Sequence, residues 1–183
     1  DYTGFTHSDS NGIDVLSATI AGDGSTVLKV YYTRNSYEVT LTSDSNFTGT
    51  TGEGTYKYGA SVTIDATLKT EDGYTYGFTK CTSSNTSVLA DQTNKQSTFT
   101  MPAGAVSLEA TGTKTANTVD YTVEYYYQAN GTYSETATTS TTRQGTAGTT
   151  AEVTNEDKTP TQTRYVYDTA ASNVESLAIA GNG

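Results

Sequence analysis

A segment of ten residues occurs twice in this chain, 159 positions apart, and this repeat limits what the chain can fold into. Val15–Gly24 reads VLSATIAGDG and Val174–Gly183 reads VESLAIAGNG, so six of the ten positions are identical. Self-similarity at a fixed distance is typical of proteins built from tandem units. The first copy continues into Ser25–Arg34 (STVLKVYYTR), which has the composition of a strand, whereas the second copy ends at Gly183. We therefore expect the chain to end in a partial unit and to begin with a strand that can complete one.

The composition favours a folded chain made of strands. Only 33% of the residues are hydrophobic and 16% are charged, and low hydrophobicity on its own suggests disorder. Disordered chains contain few aromatic residues, however, and this chain has 15 Tyr. Tyr and the abundant Thr both favour strands. We expect an all-β protein with a thin core.

The net charge of −10 and the isoelectric point near 4.3 argue against several classes of partner. A surface this acidic repels nucleic acids and anionic membranes. No apolar run approaches the length of a membrane span, so we expect neither nucleic-acid binding nor membrane insertion. Cys81 is the single cysteine, which excludes a disulfide within the chain. An acidic, nearly cysteine-free chain of this kind fits the outside of a Gram-positive cell.

Turn signals and strand patterns divide the chain into three units, at residues 1–34, 36–113 and 117–183. In the middle unit, Ser61–Ala66 alternates between polar and apolar residues, as a half-buried strand does. Such strands recur about every 8–12 residues with turn signals between them, which indicates a small antiparallel β-sandwich. Its predicted core consists of Val62, Ile64, Phe78, Phe99, Val106 and Leu108.

The first and third units contain further strand signals. Val27–Tyr32 is the clearest of them, and Tyr121–Tyr127, Tyr165–Tyr167 and Val174–Ile179 have similar compositions. Asn130-Gly131 is the dipeptide preferred in a two-residue hairpin turn. We therefore expect a hairpin in the third unit, with Tyr133–Arg143 as the returning strand.

The third unit together with Ser25–Arg34 resembles the mucin-binding and internalin B-type repeats of Gram-positive surface proteins. The resemblance lies in Tyr121–Tyr127, in Gly145–Thr149, in Tyr165–Asp168 and in Ile20–Gly24 running into the strand that follows. It implies a small β-grasp-like fold that occurs in tandem on adhesins. Units 1–34 and 117–183 would then be two partial β-grasp-like repeats on either side of the middle domain.

The middle unit resembles the divergent bacterial surface repeat that often alternates with those repeats. Its marks are Tyr58–Thr63, Asp72–Tyr74 and Phe99–Pro102. That family usually has a Trp in the strand after the Gly-Tyr pair, and this chain contains no Trp. The resemblance implies that Phe78 takes its place.

The titratable residues do not form a recognisable catalytic set. His7 stands beside Ser8 and Asp9, too close in sequence to build a Ser–His–Asp site, and is interpreted as a solvated loop residue. Cys81 follows Lys80, whose charge could lower the pKa of the thiol, but it is interpreted as a small residue on a strand. We expect no catalytic residue and no cofactor.

Three pairs of carboxylates have two interpretations. They are either solvated acidic loops or, together with loop carbonyl groups, ligands for Ca²⁺. None has the D-x-D-x-D-G spacing of a calcium loop, so we expect no bound metal. The pairs are Asp9 and Asp14, Glu71 and Asp72, and Glu156 and Asp157.

The tyrosine run Tyr125, Tyr126 and Tyr127 also has two interpretations. Exposed tyrosines can stack on sugars or anchor a protein interface. Adjacent side chains in a strand point to opposite faces, however, so at least one of each neighbouring pair is expected in the core. The run is therefore either core with cross-strand packing or a ligand face.

These patterns together predict a non-enzymatic segment of an extracellular bacterial stalk or adhesin. Its expected partners are copies of itself or adjacent repeats. Residues 25–34, through Val27, Leu28, Val30, Tyr31 and Tyr32, are predicted to complement unit 117–183, either within the chain or in the next molecule. The second route would give a head-to-tail filament and is the one we favour. The alternative function is a module that binds glycans or mucin on a host glycoprotein.

Overall fold

The computed structural model describes residues 2–8, 12, 14–85, 88, 94–171 and 173–182. In these residues the chain forms thirteen β-strands and no helix, so the predicted all-β class is confirmed. The strands are β1 (Phe5–His7), β2 (Tyr32–Arg34), β3 (Ser36–Ser43), β4 (Phe47–Thr51), β5 (Gly54–Lys57), β6 (Ser61–Leu68), β7 (Tyr74–Ser83), β8 (Gln96–Thr100), β9 (Val106–Ala116), β10 (Thr118–Tyr125), β11 (Thr139–Thr146), β12 (Thr150–Glu152) and β13 (Ser176–Ala178).

The chain divides into two compact units, and β7 and β9 each contribute residues to both. The three-unit division inferred from the sequence stays a prediction. Unit 1 comprises Asp1–Lys69 and Gly77–Thr113, and unit 2 comprises Thr70–Tyr76 and Lys114–Gly183.

Two sheets share one apolar core in unit 1. The strand orders are β5–β3–β9–β7 and β4–β6–β8, so consecutive strands from β3 to β9 alternate between the two sheets. Strict alternation along β6 places Val62, Ile64 and Ala66 on the buried face, because successive side chains of a strand point to opposite sides. The buried members of the core are Val39, Leu41, Phe47, Val62, Ile64, Ala66, Cys81, Val88, Phe99, Met101, Val106, Leu108 and Ala110.

The larger sheet of unit 1 is mixed, which corrects the expectation of a purely antiparallel sandwich. β3 pairs with β9 in parallel, with Val39 opposite Val106 and Leu41 opposite Leu108. A parallel pair needs a crossover connection and cannot be closed by a hairpin. Here the chain reaches β9 from β8 in the other sheet, and that crossing supplies the connection.

The predicted core of the middle unit is largely confirmed. Val62, Ile64, Phe99, Val106 and Leu108 are all buried in one cluster. The sixth residue, Phe78, is only half-buried and packs against the cluster edge-on to Phe47, with ring centroids 6.2 Å apart. Phe47 itself is buried but follows a polar loop, and the sequence pattern did not single it out.

Besides the ends of β7 and β9, the described part of unit 2 contains two strand pairs. β10 lies antiparallel to β11, with Thr118 opposite Thr146, and β12 lies antiparallel to β13. The predicted turn at Asn130-Gly131 is confirmed: both residues have positive φ, 53° and 83°, as a type I′ turn requires. Ala129 and Thr132 exchange two main-chain hydrogen bonds across it.

Two strand predictions are wrong in these terminal regions. Tyr165–Tyr167 is not a strand, and of the predicted strand Val27–Tyr32 only Tyr32 lies in one, at the start of β2. β2 pairs with β1, placing His7 opposite Tyr32, and Lys29 forms an isolated bridge with Val15. A strand requires a continuous ladder, whereas within residues 27–31 the described chain has one bridge, from Lys29 to Val15.

Removing a core phenylalanine should distinguish the centre of the sandwich from its edge. Phe47→Ala should lower the free energy of unfolding by about 3–5 kcal/mol because the whole ring is buried. Phe78→Ala, at the half-buried partner ring, should cost about 1–2 kcal/mol because it loses correspondingly less buried surface. Urea denaturation of both variants measures the difference. A loss at Phe78 equal to that at Phe47 would contradict this packing and restore the Phe78-for-Trp interpretation.

Candidate functional site

The segment that was predicted to complement a neighbouring unit lies on the surface of unit 1. Its apolar side chains, Val27, Leu28, Val30, Tyr31 and Tyr32, are all at least 40% exposed. Exposed apolar residues scattered singly are ordinary, whereas a contiguous group marks an interaction surface. The structure therefore presents these residues without burying them.

Asp14 holds the end of this segment in place. Its Oδ1 accepts a hydrogen bond of 3.0 Å from the Tyr31 N–H, and its Oδ2 lies 2.5 Å from His7 Nε2. His7 is exposed, as its interpretation as a solvated residue predicts, but it lies in β1 and not in a loop, and it contacts Asp14, whose side chain is buried. Asp9, the other acid considered beside His7, is outside the described residues.

The three adjacent tyrosines in unit 2 have different surroundings. Tyr125 is half-buried at the end of β10, and its hydroxyl donates to Asp157 Oδ1 at 2.6 Å. Tyr126 is exposed and donates to Glu124. Tyr127 is half-buried, with its ring centroid 4.8 Å from that of Tyr165. The run thus supplies two half-buried rings that have partners within unit 2 and one exposed ring.

Asp157 is the centre of a polar cluster in unit 2. Its two carboxylate oxygens accept hydrogen bonds from both Arg143 Nη atoms, from the Tyr125 hydroxyl and from the N–H and hydroxyl of Thr154. Its side chain is 2% exposed and that of Arg143 is 26% exposed. The Arg143 guanidinium, and then these neutral donors, hold the pKa of Asp157 well below its usual range.

Lys114 lies in a second polar cluster of unit 2, with Glu71, Tyr74 and Tyr76. Its Nζ lies 2.7 Å from Glu71 Oε2 and 3.7 Å from the centre of the Tyr74 ring. The hydroxyl of Tyr76 also donates to Glu71 Oε2, at 2.6 Å. The Glu71 carboxylate raises the pKa of Lys114 and of Tyr76.

In each pair of carboxylates considered for Ca²⁺, one member has a basic partner among the described residues. Asp157, Asp14 and Glu71 are bound by Arg143, His7 and Lys114, respectively. The described residues contain no group of three or more His, Cys, Asp or Glu side chains placed to hold a metal ion.

Cys81 is buried on β7, which confirms its interpretation as a small strand residue. Burial raises the pKa of its thiol, the opposite of the lowering that Lys80 was considered to cause. The thiol is thus less reactive than an ordinary exposed one.

β10 offers unit 2 a strand edge with two contrasting faces. In the part of the chain that the structure describes, β10 pairs only with β11, so its other edge is open. Asp120 and Glu124 project from the exposed face. The half-buried face carries Val119, Tyr121, Val123 and Tyr125.

Comparison with known proteins finds a similarity in the middle of the chain. Residues 37–116 match the family model described as the divergent InlB B-repeat domain. The predicted resemblance of the middle unit to a divergent repeat of surface proteins is confirmed, and the matching model is of the internalin B type. These residues are thus similar to a repeat domain of bacterial surface proteins, and such domains are typically non-catalytic. The match covers less than half of the 183 residues, and the resemblance of the flanking residues stays a prediction.

No curated protein and no solved structure matches the chain. Among the described residues there is no helix with the length and apolar character needed to cross a membrane.

Replacing Asp157 should lower the stability of unit 2 and change how that stability depends on pH. Asp157→Asn should cost about 3 kcal/mol, at the low end for a broken buried pair because Arg143 keeps some contact with water. Since the pKa of Asp157 is lower in the folded than in the unfolded state, its contribution is full above about pH 4 and declines as the pH falls further. Denaturation at pH 7 and pH 3, followed through unit 2, measures both effects.

Asp120→Asn is the matched control, because Asp120 is exposed and accepts one hydrogen bond, from Gln144. It should change stability by less than about 1 kcal/mol at either pH. If Asp157→Asn behaves like this control, the polar cluster does not stabilise unit 2.

Proposed function

We propose that this chain is a non-enzymatic segment of a stalk or adhesin on the outside of a Gram-positive cell. In it, residues 25–34 of one copy complete unit 117–183 of the next copy by adding a strand. The match to a repeat domain of bacterial surface proteins supports the location and the absence of catalysis. Strand addition would cover both the exposed apolar residues 27–32 and the open edge of β10.

The observation that carries the proposal is the exposure of the apolar run in residues 27–32. Exposing five apolar side chains within six residues is unfavourable, and this chain has few apolar residues in all. An uncovered strand-forming segment and an open edge are both ready to pair with another chain. Main-chain hydrogen bonds then supply affinity, and alternate side chains supply specificity.

One face of residues 25–34 fits the half-buried face of β10. In an extended segment Leu28, Val30 and Tyr32 would lie on one side, with Val27, Lys29 and Tyr31 on the other. If the apolar side joins the half-buried face of β10, Lys29 lies on the side of Asp120 and Glu124. The segment carries two cations, Lys29 and Arg34, and no acid, so its charge is complementary to this strand.

The same contact between identical copies has consequences for assembly. The donor segment and the acceptor edge are different surfaces, so the interface is head-to-tail and does not close on itself. Each added copy presents a new donor and a new acceptor. The expected product is a filament, which suits a protein that spans distance from a cell surface.

Binding of a host glycan or mucin is the second candidate. It is favoured by the exposed rings of Tyr126, Tyr133 and Tyr165 in unit 2. The hydroxyls of Tyr126 and Tyr133 donate to Glu124 and Asp168, respectively, which holds the rings in fixed positions. Glycan-array binding and mucin pull-down by the full chain that is lost with Tyr126→Ala and Tyr133→Ala would support this function.

A charge placed in the donor segment should abolish assembly. Val30→Asp should leave the isolated chain folded, because the side chain is 49% exposed there, but it should prevent its burial against a second copy. Sedimentation of the full chain over a range of concentrations should give large species for the unsubstituted chain and monomers for the variant.

Val166→Asp is the control, since it makes the same chemical change at a residue that is 86% exposed in unit 2 and outside the donor segment. It should assemble like the unsubstituted chain. A chain that stays monomeric at high concentration, or a Val30→Asp variant that assembles normally, contradicts strand complementation between molecules.

A further inference from the structure

The two copies of the ten-residue repeat are identical at key positions but have opposite surroundings. Ile179, in the second copy, is 6% exposed, whereas Ile20, at the equivalent position of the first copy, is 86% exposed. The residues on the C-terminal side of each isoleucine, Ala-Gly, are also the same. A difference this large between like sequences indicates that the first copy lacks the surface on which the second one packs.

That surface is visible in unit 2. The Ile179 N–H donates to the carbonyl of Thr149 at 2.8 Å, and the Gly148 N–H donates to the carbonyl of Ile179 at 2.9 Å. The side chain lies directly over Gly145, where a Cβ atom would collide with Ile179 Cδ1. Gly181 approaches the main chain of Asp72 so closely that it too has no room for a side chain.

The first copy contains the same residues that pack on unit 2 in the second copy. Ser17, Ile20, Ala21 and Gly22 are identical to Ser176, Ile179, Ala180 and Gly181. In the described part of the chain, neither the N–H nor the carbonyl of Ile20 has a hydrogen-bond partner. Side chain and main chain of Ile20 are therefore both free to make the contacts that Ile179 makes.

We propose that residues 17–22 of one copy dock on unit 2 of a second copy in the place of residues 176–181, with Ile20 over Gly145. This deepens the proposed head-to-tail assembly and rests on it. Residues 25–34 follow the docked segment directly and are delivered beside the same unit. The partner is thus a second copy of this chain, and the docked segment and the added strand form one continuous donor, residues 17–34.

The energetics favour an exchange of this kind. The contacts that residues 176–181 give up are remade by residues 17–22, because the anchoring residues are the same. The exchange itself is then close to neutral. Burial of the apolar side chains of residues 27–32, which are exposed before the exchange, supplies the net driving force.

Two alanine substitutions should have opposite effects on assembly. Ile20→Ala removes the anchor of the incoming segment and should weaken association by about 30-fold or more. Ile179→Ala weakens the resident segment and should strengthen association by about 10-fold or more. Sedimentation equilibrium of the full chain measures both. Association that is unchanged by Ile20→Ala, or weakened by Ile179→Ala in a folded chain, overturns the exchange.

Covalent trapping gives a second readout that does not depend on the stability of the Ile179 variant. Ile20→Cys in one molecule should form a disulfide with Thr149→Cys in another under mild oxidation, because Thr149 is the main-chain partner of Ile179. Leu16→Cys is the control and should not link to Thr149→Cys, because its counterpart Glu175 bonds Val153 instead. Assembly without the Ile20–Thr149 link overturns the exchange.

Two outcomes distinguish a failure of the exchange from a failure of the proposed assembly. If Val30→Asp abolishes association but Ile20→Ala and the trapping pair have no effect, strand addition is right and the exchange is wrong. If the unsubstituted chain does not associate at all, the proposed assembly is wrong and the exchange with it.

Discussion

The packing of Ile179 over Gly145 is the contact on which unit 2 depends. Among the described residues of that unit, the apolar side chains with less than a tenth of their surface exposed are Ala147 and Ile179. Both meet where β13 returns to the end of β11, so one isoleucine fixes the position of the last strand. In unit 1, by contrast, thirteen buried residues of the described chain form the core, so no single side chain fixes the position of a strand. A segment that carries a second copy of the isoleucine can therefore compete for the most important contact of unit 2.

Polar interactions make up for the small core of unit 2. Asp157 connects β10, β11 and the turn after β12 through Tyr125, Arg143 and Thr154. Bonds between tyrosine hydroxyls and carboxylates recur at Tyr126, at Tyr133 and at Tyr167. Such bonds stabilise a unit only when each charged group keeps its partner. This explains how a chain with 33% hydrophobic residues can fold.

Regular alternation made the fold of residues 36–113 predictable from the sequence. The all-β class and most of the core followed from period-two patterns such as that of Ser61–Ala66. The parallel pairing of β3 with β9 did not, because the partner of a strand depends on the path between sheets and not on its own residues. The strand prediction for Val27–Tyr32 was wrong for a related reason. Residues with a high strand propensity form a strand only where a partner continues the ladder.

The candidate sites were predictable to a lesser degree. The repeat pointed to residues 15–34, but the difference in exposure between Ile20 and Ile179 is visible only in the structure. The Asp157 cluster unites residues from three separate places in the sequence, at Tyr125, at Arg143 and at Thr154 with Asp157, and no spacing rule connects those three places. The role of Asp14 in holding Tyr31 was hidden for the same reason.

Hydrogen exchange at different protein concentrations tests most directly whether residues 25–34 find their partner on another copy. In dilute solution the amides of residues 27–31 should exchange rapidly, because most of them have no stable main-chain partner within the described chain. In concentrated solution these amides and those of β10 should become protected together, as a new ladder forms between copies. Exchange at residues 27–31 that stays rapid at every concentration, while sedimentation shows large species, would contradict the account.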